Sequence, residues 1–456
     1  MSAINQYIDL YNRHRKAIDT HSGGAVNAIR QQALRVLSDA ARMPEKGDED
    51  YEVTSLEEVF APDYGVNINR IDLGANPAEV FRCDVPNLST CLYFLRNDAF
   101  FAGKNSDNAL PKGVVICSLA EAAVKYASIV DAHYGKIARL EHLPTALNSL
   151  LAQDGVFVYV PQGVQVEKPV QLVNILNSSA PLMACRRILL VAEDGAQIRL
   201  LSCDHTQNPD IDYLNSQVIE IYAGRNAVVD FYDIEDSSDR TRRVSSMYIR
   251  QEEASNVLVD GITLKNGITR NDFSVDMVEN HAELHLLGMA MASGNRHVDN
   301  HTEVVHKAED GHTDELFKYV LDGNAVGAFS GLIRVLEGAD KTEAYQSNRN
   351  VLASDEARMY SKPQLVIDCD DVKCSHGSTI GQIDQTALFY MRSRGSPEQE
   401  ARLMLMQAFM NDVIAGVRMD ALKDRLRHLV ETHILGGASS CRDCASSCNQ
   451  NKSDNA

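Results

Sequence analysis

The chain has 456 residues and carries 63 acidic against 44 basic side chains, a formal net charge of −19. That length allows two or three domains, and the acidic balance argues against nucleic acid as a partner, because phosphate neutralisation needs clustered Lys and Arg. No uninterrupted apolar stretch reaches the length of a membrane span. Residues 1–30 lack an apolar signal core and a small-residue cleavage site, so a cytoplasmic location is expected.

Residues 1–45 have helical periodicity. Tyr7, Leu10 and Tyr11 share one face, and Ala25, Ile29, Ala33, Val36 and Leu37 share another after the Ser22-Gly23-Gly24 break. Met43 to Asp48 reads as a linker. From Tyr51 to about Leu143 the pattern is mixed: short apolar runs such as Val114-Val115-Ile116 precede one helical stretch, LAEAAVKYASIVDAHYGKIARLEHL (119–143). Residues 1–145 are therefore expected to form an N-terminal helical and α/β domain.

The pattern changes after Gly155. Short alternating segments dominate to Ile383, among them VFVYV, QIRLL, VVDFYDI, NVLVDGITL and ELHLLGMAM. A phrase made of a small residue followed by alternating apolar positions recurs at Ala196, Ala227, Ser255, Ala282, Ala325 and Ala357. Successive phrases lie 27 to 32 residues apart, except for 43 between Ala282 and Ala325, about one and a half periods. Strand repeats of this length suit the coils of a solenoid, each of which buries its apolar face only by stacking on its neighbours. The prediction is a mainly β protein with a parallel β-helix core over residues 146–383. A β-sandwich is the structural alternative.

A helical domain is expected over residues 384–437. Ser396 is an N-cap candidate with Pro397 at the first helical position. Ala401, Leu405, Ala408, Phe409 and Val413 would line one face of a helix over 400–417. A second helix would run from Ala421 to His433 and end at Gly436-Gly437. Residues 438–456 read as a disordered tail containing Cys441, Cys444 and Cys448; three closely spaced thiols are too few for a closed metal site. Cys83, Cys91, Cys117, Cys185 and Cys203 lack framework spacing and read as small core residues.

Three groups of side chains invite chemistry. Six histidines (His281, His285, His297, His301, His306 and His312) are compatible with a metal site, but no HExxH or partnered CxxC accompanies them. They are expected as hydrogen-bonded residues on solenoid turns. Acidic pairs such as Glu252-Glu253 and Asp370-Asp371 suit glycosidase chemistry, yet the chain contains no Trp to build a sugar platform. The third group lies between Lys362 and Gly395, where Cys369, Cys374 and His376 offer soft and borderline donors for iron, zinc or sulfur. Read from spacing alone, a buried Cys374 and a hydrogen-bonded core His376 are the expectation. No GxxxxGK(S/T) run is present, so the chain is not expected to bind nucleotide through a phosphate loop.

The segment DDVKCSHGSTIGQID followed by LFYMRSRG resembles the C-terminal signature of the SufB/SufD family, scaffold subunits of the SUF iron–sulfur cluster assembly machinery. TALNSLLAQDGVFVYVPQGVQVEKPVQL, NRHVDNHTEVVH, FSGLIRV and KTEAYQSNRNVLASDEA resemble other parts of the family core, so the likeness covers most of residues 145–415. CSHG points to the SufD branch, since SufB-like chains carry a Glu-rich segment there. The resemblance implies a right-handed parallel β-helix and a non-catalytic scaffold. It implies a SufB-like homologue, a SufC-like ABC ATPase and a sulfur-donating cysteine desulfurase system as partners. It further implies a transient iron–sulfur cluster shared with the SufB-like partner, with His376 and Cys374 as candidate ligands at the subunit seam. Phe389, Tyr390, Arg392, Arg394 and Phe409 are expected at a partner-binding surface of the helical domain. A SufB-like subunit and a purely structural subunit without metal ligation remain as alternatives.

Overall fold

The computed structural model describes residues 2–71, 90–102 and 110–434. Cys83, the Gly436-Gly437 stop and the cysteine-bearing tail lie outside the described residues. The N-terminal part contributes helices α1 (Ala3–Thr20), α2 (Gly24–Ala28), α3 (Arg30–Asp39) and α4 (Leu56–Phe60), then strands β1 (Gly65–Val66), β2 (Cys91–Arg96), β3 (Ala99–Ala102) and β4 (Val115–Ser118). Helices α5 (Leu119–Lys125), α6 (Ala127–His133) and α7 (Leu143–Leu151) follow. The expected single helical stretch over 119–143 is thus broken: Tyr126 leaves helical geometry at φ −122° and ψ 35°, and Gly135 turns the chain with φ +68°.

The solenoid begins with β5 (Val156–Val160), β6 (Val170–Leu176), β7 (Leu182–Ala192), β8 (Gln197–Thr206) and β9 (Tyr213–Ala223). It continues through β10 (Val228–Asp236), β11 (Thr241–Gln251), β12 (Asn256–Lys265), β13 (Ile268–Met277) and β14 (Glu283–Ala292). The last coils are β15 (His297–His306), β16 (His312–Leu321), β17 (Val326–Val335), β18 (Glu343–Leu352), β19 (Arg358–Ile367) and β20 (Lys373–Gln382). Odd-numbered strands from β5 to β19 form one sheet and even-numbered strands from β6 to β20 the other. Each strand pairs in parallel with the strand two places on, so a coil is two strands long and the stack makes about eight turns. This is the parallel β-helix expected from the repeat.

The same topology accounts for the irregular 43-residue interval. Ala196, Ala227, Ser255 and Ala282 precede β8, β10, β12 and β14 in one sheet, whereas Ala325 and Ala357 precede β17 and β19 in the other. From β14 to β17 is three strands, one and a half coils. All six side chains are buried at the coil corners. On the even-sheet side Asn226, Ala254, His281, Asp310 and Lys341 hold φ between +52° and +60°. These positions are normally costly for non-glycine residues. Here a ladder of backbone bonds running from coil to coil offsets the cost: the N–H of Asn226 donates to Glu253, that of Ala254 to Asn280 and that of His281 to Glu309, at 2.8–3.1 Å.

The interior is divided lengthwise. Apolar inward positions such as Ile198, Leu200, Val229, Phe231, Ile219 and Ile221 form one side of the lumen. Polar residues of the same parity fill the other. There Arg186 meets Asp204 at 2.8 Å, Thr269 donates to Glu235 at 2.7 Å, Asn271 to Asn300 at 2.9 Å and Asn300 to Tyr319 at 2.6 Å.

Helices cover both outer faces. Helices α1, α3 and α7 pack onto Met183, Cys185, Leu214 and Val244 of the odd sheet. Cys91, Cys185 and Cys203 are buried and Cys117 half-buried, as small core residues would be. After β20 come α8 (Gln385–Ser393), α9 (Glu398–Gly416) and α10 (Asp420–Ile434). Val413, Ile414, Leu422 and Leu426 close over Leu258, Ile262, Leu287 and Met289 of the even sheet. Two expectations need correction here. Pro397, not Ser396, occupies the N-cap of α9, and no side chain caps it. The buried side of α9 is Ala401, Leu403, Met410, Val413 and Ile414, while Ala408 is exposed. The run LMLMQAFM is apolar on every face, so its periodicity does not select the one that meets the sheet.

Candidate functional site

The solenoid ends open. Among the described residues β19 is bonded only to β17 and β20 only to β18, leaving one edge of each sheet without a strand. Such edges present unpaired N–H and C=O groups to another chain. Inward-facing positions of β20 therefore remain reachable although the same positions one coil earlier are buried.

Cys374 and His376 occupy two of these positions. They lie on one face of β20, about 7 Å apart along an extended strand. Cys374 is in register with buried Ala344 and packs, half-buried, on the end of the interior core. Burial raises its thiol pKa, and neighbouring Cys369 adds to the rise. Metal binding there must displace a proton. Cys369, in the loop before β20, donates its thiol to the Leu336 carbonyl at 2.9 Å. His376 is exposed and in register with Gln346, itself in register with Glu315. Burial lifts the Glu315 carboxyl to about 7, against the hydrogen bonds from Thr302 and Gln346. Among the described residues no three His, Cys, Asp or Glu side chains converge on a point able to hold a metal. Cys374 and His376 by themselves fall short of the four donors that a closed metal site takes.

The other expected site residues separate into two places. Asp384 caps α8, accepting from the backbone N–H of Thr386 at 2.8 Å and of Ala387 at 3.1 Å. Its helix presents Phe389 at 73 % and Tyr390 at 58 % exposure. Arg394 lies over the Tyr390 ring at 5.2 Å, and Arg392 pairs with Glu398 at 3.1 Å. Phe409 is elsewhere: half-buried on α9, its ring 4.6 Å from the Lys318 ammonium, which also binds Asp412.

The six histidines do not gather into a metal site among the described residues, although the His285 and His312 rings lie 6.2 Å apart. Only His281 sits on a turn; the other five lie within strands, contrary to expectation. They hold parts of the fold together one by one. His297 Nε2 and the Thr54 hydroxyl are 2.8 Å apart, His301 sits between Asp272 and Asp50, and His306 meets Thr313 at 2.9 Å. The residues that spacing arguments passed over are Glu315, Gln346, Asn348 and Asn350. The alternation of Ala344, Gln346, Asn348 and Asn350 within KTEAYQSNRNV is the signal that marks a polar inward face.

The stacked platform, with one side of its lumen polar, ends in two unpaired sheet edges and carries Cys374 and His376 on its last strand. The profile described as "SUF system FeS cluster assembly, SufBD core domain" matches residues 174–409, and that described as "SufBD protein N-terminal region" matches residues 1–172. The chain belongs to the SufBD family. It is 28 % identical over 414 residues to an iron–sulfur cluster assembly SufBD family protein of Synechocystis, covering 89 % of this chain and 91 % of that one. It is 27 % identical to the iron–sulfur cluster assembly protein SufD of Bacillus subtilis over 77 % of this chain and 81 % of the relative. Against SufD of Escherichia coli the identity is 27 % over 64 % and 70 %.

Proposed function

We propose that this chain is the SufD-like scaffold subunit of a SUF complex and carries no catalytic activity of its own. A SufB-like homologue joins the open end of the solenoid, and an iron–sulfur cluster, the cargo of the assembly, forms at that seam. His376 is a ligand to the cluster or its iron, with Cys374 beside it and the remaining donors supplied by the partner. A SufC-like ABC ATPase docks on the helical C-terminal part through Phe389, Tyr390, Arg392 and Arg394, and a cysteine desulfurase system delivers the sulfur. The complex works in the cytoplasm; no helix of the described residues is long and apolar enough to cross a membrane.

The observation that carries this reading is a pair of inward-facing donors, His376 exposed and Cys374 half-buried, at an end where both sheets stop unpaired. An imidazole at such an end suits iron, and alanine leaves no donor. The test is to co-purify the chain with its SUF partners, reconstitute anaerobically, and measure iron and acid-labile sulfide. His376→Ala should assemble the complex but lose the cluster, and Cys374→Ala should have a smaller effect. A fully loaded His376→Ala complex with a lowered melting temperature would refute ligation and leave a structural histidine.

A further inference from the structure

We propose that Gln346, anchored by Glu315, positions the His376 imidazole by accepting one of its ring N–H groups, leaving the other nitrogen free to face the cargo. This rests on the reading of His376 as a ligand and adds the group that orients it. Glu315, Gln346 and His376 hold the same register position on β16, β18 and β20. Successive strands of a parallel stack are about 4.8 Å apart, so in-register side chains on one face lie within reach of each other.

The amide of Gln346 is fixed from below. Its Nε2 donates to Glu315 Oε2 at 2.9 Å, and the second carboxyl oxygen takes the Thr302 hydroxyl at 2.6 Å. A carboxylate holding two donors in this way leaves the amide one orientation, with its carbonyl turned away from Glu315. That carbonyl, Gln346 Oε1, is buried and has no hydrogen-bond partner among the described residues. Buried acceptors are rarely left unpaired, and each one asks for a donor. The next side chain along the stack is the imidazole of His376, exposed and not bonded to Gln346 in this structure, and a rotation of its side chain brings a ring N–H to that oxygen.

The opposite wall makes room for the arrangement. A Cβ added to Gly331 would fall 2.4 Å from Gln346 Nε2 and 2.7 Å from Phe329 Cζ. Glycine in the middle of a strand marks such a close approach. Ligating histidines commonly donate their second N–H to a carbonyl or carboxylate, which fixes the tautomer. Gln346 supplies the carbonyl, and Glu315 keeps it pointed the right way.

The test reads the imidazole directly, without cargo. The full chain is labelled with 15N-histidine, and His376 is assigned from the signal lost in His376→Ala. The wild type should show one dominant neutral tautomer. Gln346→Met, which keeps the shape and removes the acceptor, should return His376 to the mixture of a free imidazole. Glu315→Met, which keeps the length and removes the anchor of the Gln346 amide, should release the tautomer in the same way. This second variant also covers the case in which Gln346→Met fails to fold. In the reconstituted complex Gln346→Met should weaken iron binding by about ten- to a hundredfold. An unchanged tautomer in both variants, with His376→Ala still failing to load, would overturn the positioning role and leave ligation standing. Normal loading of His376→Ala would overturn the ligation reading itself.

Discussion

Replacing Asp260 by leucine tests how the C-terminal helices are seated on the solenoid. Asp260 lies on the outward face of β12, fully buried, and neither carboxyl oxygen has a hydrogen-bond partner among the described residues. Its strand neighbours Leu258 and Ile262 belong to the apolar layer closed by Val413, Leu422 and Leu426 of α9 and α10. In the stack it sits between Tyr232 and Leu287. Burial alone pushes the carboxyl from 3.8 up to about 8. Below pH 3.8 the folded and unfolded chains both hold the proton, and the group costs nothing through linkage. Above it the unfolded chain ionises while the folded one does not, so stability falls with rising pH until about 8. At pH 7 the interval is about three pH units at about 1.4 kcal/mol each, a destabilisation of about 4 kcal/mol. Leucine copies the residue stacked above and fits the layer. Asp260→Leu should therefore unfold at higher urea than the wild type at pH 7, with the difference shrinking towards pH 4. Urea unfolding of both proteins at half-unit steps from pH 4 to pH 8 measures it. Parallel profiles with a constant offset would show that Asp260 is not the uncharged, unpaired group described here.

Three further outcomes follow from the packing. The double substitution Phe389→Ala/Tyr390→Ala removes exposed rings, so the melting temperature should stay within the equivalent of about 0.5 kcal/mol while co-elution with the proposed ATPase partner is lost; retained co-elution would refute docking through these rings. Gly288→Ala would place a Cβ 2.2 Å from the buried Phe317 ring, and overpacking of that kind should cost about 1–3 kcal/mol in chemical denaturation. Adding Phe317→Leu should recover part of the loss, and no recovery would point to backbone strain in place of the ring. Deletion from Ser396 onward strips α9 and α10 from Leu258, Ile262 and Met289, so the truncated chain should self-associate in light scattering; a monomeric product would contradict the buried layer.

The sequence by itself determined the solenoid, because a repeat near thirty residues with a small residue at each corner leaves few ways to bury alternating strands. Even its one irregular interval was lawful, a step from one sheet to the other. It also marked Cys374 and His376, since two donors on alternate residues of a strand share a face wherever the strand lies. Tertiary structure decided which face of each strand turns inward. In β12 Val257, Leu258 and Val259 are all buried, one side by the lumen and the other by α10, so alternation of apolar and polar residues is erased. The same double burial concealed Asp260 and the inner face of α9. Gln346 and Glu315 became a support for His376 only once register placed them at one position on three successive strands, a relation among residues about thirty apart that no local pattern encodes.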